Sequence, residues 1–273
     1  MSTQQDAQML HGARSFSTLS SLEKALLGIP LLGGVVFGLG PLLAQAQFAA
    51  IAGASGADAY VYHLAGAATF GYAIGLLFAI LQNHWLPARM VVIATLVFNL
   101  GSLYAVAAAV INGGGTPIVY LICLTSLIII GATVWMLNQH RGVTHGTPDI
   151  APWLVYLIAF LGFVAAAVGL TLIIAPVPIA QIFGYKGTDD FLYRQGGAAT
   201  LGYGVMGYYM LRSRVWSEIR LASIMSFGFN AISLVAAVLE IASGGLLLLA
   251  GITGLVALIA TLGMGAALLR HGK

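Results

Sequence analysis

The chain has 273 residues, of which 60% are hydrophobic and 7% charged, with a formal net charge of +3 and a mean hydropathy of +0.97. A soluble domain carries about 25% charged residues, so this composition excludes a water-soluble globule and indicates an integral membrane protein. No basic stripe interleaved with aromatics is present, which excludes a nucleic-acid-binding surface.

Residues 1–24 are polar, and the first apolar run lacks a small-residue cleavage site behind it, so no cleaved signal peptide is expected. "STLSSLEKALL" reads as a capped helix start, with Ser20 or Ser21 ahead of Glu23. It is expected either as a helix lying on the membrane surface or as a disordered tail. A crossing helix needs about 20 apolar residues. Eight such stretches follow, near 25–47, 60–82, 89–111, 116–137, 152–176, 191–212, 219–241 and 246–269. They are long and do not alternate, which disfavours a β-barrel. The expected fold is therefore an all-α polytopic membrane protein with eight transmembrane helices. The polar segment 138–151 reads as a cytoplasmic linker.

An even number of spans puts both termini on one side. The side opposite the termini carries only Lys186 and Arg194, while the termini's side carries the other nine of the eleven Lys and Arg residues. By the positive-inside rule the termini are expected in the cytoplasm, with the chain in a cell (inner) membrane. Trp85, Trp135, Trp153 and Trp216 fall near span ends on that same side, as interfacial indoles would.

"GAATFGYA" at 66–73 returns as "GAATLGYG" at 197–204. At this offset of 131, Asp58 meets Asp189, Tyr62 meets Tyr193, Trp85 meets Trp216 and Asn99 meets Asn230, and Gly113-Gly114 meets Gly244-Gly245. An ungapped offset that carries Asp, Trp and Asn together signals duplication. The expected units are 25–137 and 152–270. Each has an even number of spans, so the repeats are parallel and related by a pseudo-two-fold axis along the membrane normal.

The second unit opens with "GLTLIIAPVPIAQIFG" (169–184), continues through "YRQGGAATLGYG" (193–204), and then adds a basic turn and two apolar helices. In this it resembles the DoxX-like group of four-helix bacterial membrane proteins, over about 152–270. The first unit departs from the pattern: His63 stands for Arg194 and Gln45 for Pro176. The resemblance implies a four-helix bundle in each unit. It also implies a setting like that of some members, which are associated with quinone-linked redox complexes.

Polar residues gather at mid-span. Thr69 and Tyr72 share one helical face, as do Thr95, Asn99 and Ser102. The second unit repeats them as Thr200 and Tyr203, with Ser226, Asn230 and Ser233. They form either the lining of a ligand cavity or pore, or hydrogen-bonding contacts between packed helices. Gly34-xxx-Gly38 and Gly71-xxx-Gly75 mark close helix approach. Arg194 and Glu240 lie at ends of spans on the same side and are expected to pair as an ion pair or gate. Asp58, Asp189 and Asp190 read as helix N-caps.

Catalytic and metal signatures are missing. No span carries facing histidines for a haem, since only His63 lies near one, and Cys123 is the single cysteine. No carboxylate pair, zinc motif, nucleophile elbow or phosphate loop occurs. No cofactor is expected beyond a bound lipid or quinone. The expected function is an accessory or binding subunit, with an enzyme as the reading least supported by the residues. It would act through helix contacts with a partner membrane complex, a second copy of the chain, or an apolar ligand (quinone or lipid). The alternative is a small-molecule transporter or channel lined by the Thr/Tyr/Asn clusters.

Overall fold

A computed structural model describes residues 18–141, 146–245 and 247–271. The expected N-terminal tail lies outside the described residues up to residue 17, and so does part of the linker. Among the described residues there are ten helices and no strand. They are α1 (Ser21–Leu43), α2 (Gln45–Ala52), α3 (Ala59–Gln82), α4 (Trp85–Ile111), α5 (Pro117–Gln139), α6 (Pro152–Ile174), α7 (Pro176–Ile182), α8 (Asp190–Ser213), α9 (Trp216–Ala242) and α10 (Leu247–His271). Seven of the ten are long and apolar enough to cross a membrane. This is the architecture of a multi-pass protein in a lipid bilayer. The outward faces agree: Leu32, Leu124, Phe163 and Leu262 are all exposed, which water would not tolerate in such a continuous apolar belt.

The sixth expected span, 191–212, coincides with α8, a helix of 24 residues that falls below the other long helices in apolarity. Its sequence carries Asp190, Arg194 and Arg212 around a Gly- and Tyr-rich centre. α8 is enclosed by α6, α4, α3 and α9, so little of it needs to be soluble in lipid. The first and fifth expected spans also differ from their expected extents. The helix breaks at Ala44 and again at Ala175, and the short helices α2 and α7 follow.

The capped start expected at Ser20 or Ser21 is found at Ser20. Its side chain accepts from the Glu23 N–H at 3.2 Å, and its own N–H donates to Glu23 Oε2 at 2.7 Å. Among the described residues it opens α1 directly. Glu23 Oε1 also lies 2.6 Å from Nε2 of His140, at the end of α5.

The centre is built from α3, α4, α8 and α9. α3 packs on α9 far more than on its sequence neighbour α4, and α4 packs chiefly on α8. α1 covers α3, α6 covers α8, α5 covers α4 and α10 covers α9. The N-terminal and C-terminal halves thus interlock through their second and third long helices.

Two carboxylates fix this interlock. Asp58 and Asp189 do occupy N-cap positions, but neither side chain caps its own helix. This corrects the N-cap expectation. Asp58 instead reaches into the other half and accepts from the N–H groups of Lys186 (3.0 Å) and Gly187 (2.9 Å) and the hydroxyl of Tyr193 (2.8 Å). Asp189 accepts from the N–H groups of Ser55 (2.6 Å) and Gly56 (3.0 Å) and the hydroxyl of Tyr62 (2.8 Å). Every partner pair is related by the offset of 131. Gly56 and Gly187 sit at φ 66° and 65°, left-handed values that glycine adopts without steric cost, and that conformation aims their N–H groups at the carboxylates. Both aspartates are buried, and a buried carboxylate persists only when it is hydrogen-bonded.

The tryptophans divide in a way the interfacial expectation did not anticipate. Trp135 and Trp153 are partly exposed, but Trp85 and Trp216 are buried. Trp85 stacks on His140 at 4.1 Å and Trp216 on His271 at 4.6 Å. Each indole locks the start of its helix to the end of the next long helix.

Replacing Asp58 by Ala strands three donors in a buried turn and is expected to cost about 3 kcal/mol. Asp58→Asn, which keeps one acceptor oxygen, should cost less. Unfolding curves in mild detergent measure both, and equal losses would show that the carboxylate is not what holds the loop.

Candidate functional site

The eight mid-span residues divide between two cavities. The first, of about 990 Å³, lies among α1, α3, α4, α5 and the start of α8, and Thr69, Tyr72, Asn99 and Ser102 line it. The second, of about 450 Å³, lies among α6, α8, α9, α10 and the start of α3, and Thr200, Tyr203, Asn230 and Ser233 line it. Thr95 contributes to the first and Ser226 to the second. Ala65 and Gly196 border both.

Cavity lining and helix contact prove to be compatible roles for these residues. The two tyrosines do both. Tyr72 donates to the Ala199 carbonyl on α8 at 2.8 Å, and Tyr203 donates to the Ala68 carbonyl on α3 at 2.9 Å. Their rings meet edge to face at 5.1 Å, and each also packs on a phenylalanine, Phe98 or Phe229. A phenol must cross to the opposite helix at each point, so that helix can carry no side chain there. A Cβ built on Gly71 would lie 2.1 Å from the Tyr203 hydroxyl, and one on Gly202 would lie 1.9 Å from that of Tyr72. Gly38 and Gly169 admit a second close approach. Their Cβ atoms would strike backbone atoms of Phe70 and Leu201 at 2.8 Å or less, so α1 touches α3 and α6 touches α8.

The amides and hydroxyls are satisfied unevenly. Asn99 donates through Nδ2 to the Thr95 carbonyl at 2.8 Å, and Asn230 donates likewise to Ser226 at 2.8 Å. Thr200 donates to the Gly196 carbonyl at 2.7 Å. Ser102 donates to Gln195 Oε1 at 2.7 Å. Ser233 has no hydrogen-bond partner although it is buried.

The ion pair expected between Arg194 and Glu240 is not the one formed. Arg194 Nε donates to Asp190 Oδ2 at 2.9 Å, one turn back on α8, and its guanidinium also donates to the Ile173 carbonyl. Tyr104 lies under the guanidinium at 5.7 Å. A partner four residues away on the same helix meets the charge without bending either element. Asp190 is thus an ion-pair partner rather than a cap. Glu240 instead acts on Tyr185, in the turn before α8. Burial pushes the Tyr185 phenol above its ordinary range, and the charge of Glu240 pushes it the same way.

Sequence reasoning missed Gln195, Thr116 and Asp190 in the first cavity and Tyr185 in the second. Each has a buried polar atom without a hydrogen-bond partner: Gln195 Nε2, Thr116 Oγ1, Asp190 Oδ1 and the Tyr185 hydroxyl. A signal for three of them was available. At the offset of 131, Gln195 faces Leu64, Asp190 faces Ala59 and Thr116 faces Leu247, so these are places where the two halves differ in polarity.

Long apolar helices thus surround two partly polar cavities, the build of a multi-pass membrane protein, and no group of His, Cys, Asp or Glu able to hold a metal occurs among the described residues. No family model, curated protein or solved structure matches the chain.

Gly71→Ala is expected to destabilise the protein by about 2 kcal/mol through overpacking, and Tyr203→Phe by about 1 kcal/mol. Because the added methyl collides with the hydroxyl that the second change removes, the double variant should lose clearly less than the sum of the two. Additive losses in detergent unfolding would separate the two residues.

Proposed function

We propose that this chain is a membrane-embedded binding protein for apolar molecules with a small polar head, of the lipid or quinone kind. In this reading all eight long helices cross the bilayer, as two tandem four-helix units related by a pseudo-two-fold axis along the membrane normal. Both chain ends face the cytoplasm, the side with nine of the eleven basic residues. The likeness of 152–270 to the DoxX-like group gives the same fold to each unit and the same quinone-linked setting.

The observation that carries the reading is the pairing, in each cavity, of exposed apolar residues on long helices with hydrogen-bonding groups further in. The exposed lining of the first includes Leu32 and Val36 on α1 and Leu121 on α5, alongside Asn112 and Thr188 in the loops. The rim of the second includes Val168 on α6 and Ile252 on α10, also exposed. In a bilayer these apolar helix residues would face acyl chains, while the hydrogen-bonding groups lie inside. Such an arrangement admits a molecule already dissolved in the bilayer and orients it by its head. Volumes of about 990 and 450 Å³ fall in the range of ligand pockets.

Purification in a mild detergent followed by native mass spectrometry tests this. The wild-type protein should retain bound apolar molecules through delipidation, and Asn99→Leu with Asn230→Leu should release most of them. If the variant holds the same molecules in the same amounts, or the wild type holds none, the binding reading fails.

A further inference from the structure

We infer that the two cavities take different ligands: the first a neutral amphiphile whose head both donates and accepts hydrogen bonds, such as a glycerol ester, and the second an apolar chain ending in a single oxygen, such as a long-chain alcohol. This rests on the reading that both cavities bind apolar molecules.

The argument starts from Gln195. Its carbonyl oxygen is occupied by the Ser102 hydroxyl at 2.7 Å, so its amide nitrogen is left as a donor without an acceptor. Asp190 uses Oδ2 for Arg194, and Oδ1 is left as an acceptor without a donor. Thr116 adds an unpartnered hydroxyl. All three line the first cavity. The head that satisfies them must accept one hydrogen bond and donate another. It must also be neutral, because the charges of Arg194 and Asp190 already cancel as an ion pair. An anion would gain Arg194 only by confronting Asp190.

The second cavity has lost this set. Leu64 stands where Gln195 would be, and Ala59, His63 and Leu247 stand for Asp190, Arg194 and Thr116. Leu64 lines that cavity but can accept no hydrogen bond. Ser233, the counterpart of Ser102, is therefore left without a partner at 4% exposure, and the Tyr185 hydroxyl is likewise unpartnered at 8%. Two unpartnered hydroxyls in a mainly apolar space of about 450 Å³ suit a single oxygen on a hydrocarbon chain. A larger head would bring polar atoms that find nothing to bond, each at a desolvation cost.

The test is competitive binding of monoolein and 1-octadecanol to the delipidated full-length protein, followed by native mass spectrometry, with folding checked by size exclusion. The wild type should take one molecule of each at the same time. Gln195→Leu should weaken monoolein about tenfold, the loss of one hydrogen bond to a buried donor, and leave octadecanol unchanged. Ser233→Ala should do the reverse. Leu64→Gln, which gives Ser233 a partner and restores an amide, should create a second monoolein site at the expense of octadecanol, a gain that misfolding cannot imitate. If Gln195→Leu weakens both probes equally, or Leu64→Gln leaves both stoichiometries unchanged, the division of labour is wrong while binding itself stands. If the folded wild type takes neither probe, the binding reading falls as well.

Discussion

A carboxylate buried at the edge of an apolar bundle has to be met by donors, and in this chain the donors come from the other half of the molecule. Asp58 draws in the turn at Lys186-Gly187 and the Tyr193 hydroxyl, and Asp189 draws in the turn at Ser55-Gly56 and the Tyr62 hydroxyl. Neither carboxylate could be satisfied by its own half. The two contacts therefore fix the separation, rotation and depth of α3 and α8 relative to each other. With those starts pinned, the rest of the central packing follows: α3 falls against α9, α4 against α8, and the cavities occupy what remains between the centre and the covering helices. In lipid this control matters more than in water, because apolar contact with a neighbouring helix is little better than apolar contact with an acyl chain.

The centre of the interlock obeys the same logic at smaller scale. Tyr72 and Tyr203 each bring a phenol into a layer with no water to receive it. Each is directed at a helical carbonyl, and a glycine on the facing helix leaves room for the hydroxyl to arrive. The eight letters that recur, "GAATFGYA" and "GAATLGYG", divide accordingly. Gly66 and Gly197 let α1 and α6 approach, Tyr72 and Tyr203 tie the halves together, and Thr69 and Thr200 look into the cavities. Architecture and candidate site are interleaved residue by residue along one helix. Changes to the tyrosines will therefore disturb both, while changes to Thr69 or Asn99 act mainly on the cavity.

Much of this was legible in the sequence. Apolar length located the long helices, and the offset of 131 relates their boundaries: α3 begins at Ala59 and α8 at Asp190, while α4 begins at Trp85 and α9 at Trp216. The mid-span polar residues were legible as a set, because they recur at one depth. Partnership was not. An aspartate just ahead of a helix has the same local signature whether it caps that helix or reaches a turn about 130 residues away. The ion pair of Arg194 with Asp190 was closer in sequence than the one expected with Glu240, but four acidic residues near span ends on that side, Asp58, Asp189, Asp190 and Glu240, gave the sequence no means of ranking them. Trp85 and Trp216 carried an interfacial signal by position, and only their stacking on His140 and His271 shows that they turn inward. Cavities leave no periodic trace at all, since they are defined by what several helices fail to fill.

What the sequence does retain is the place where the two halves stop matching. Asp58, Tyr62, Gly56 and Tyr72 have identical counterparts in Asp189, Tyr193, Gly187 and Tyr203, whereas 59, 63, 64 and 116 differ in polarity from 190, 194, 195 and 247. The physical reason is asymmetric tolerance. A change at an interlocking position strands a buried donor or acceptor in the opposite half, a loss of about 1–3 kcal/mol per group. A change at a cavity wall alters what the cavity can hold and leaves the fold intact, because a missing partner there can be supplied by a bound molecule. Ser233 illustrates this: its hydroxyl lost its protein partner with the Gln-to-Leu difference at 195 and 64, yet the helices around it pack like those around Ser102. Divergence between the halves therefore falls where the interlock does not constrain it: 116, 190, 194 and 195 line the first cavity, and 64 lines the second.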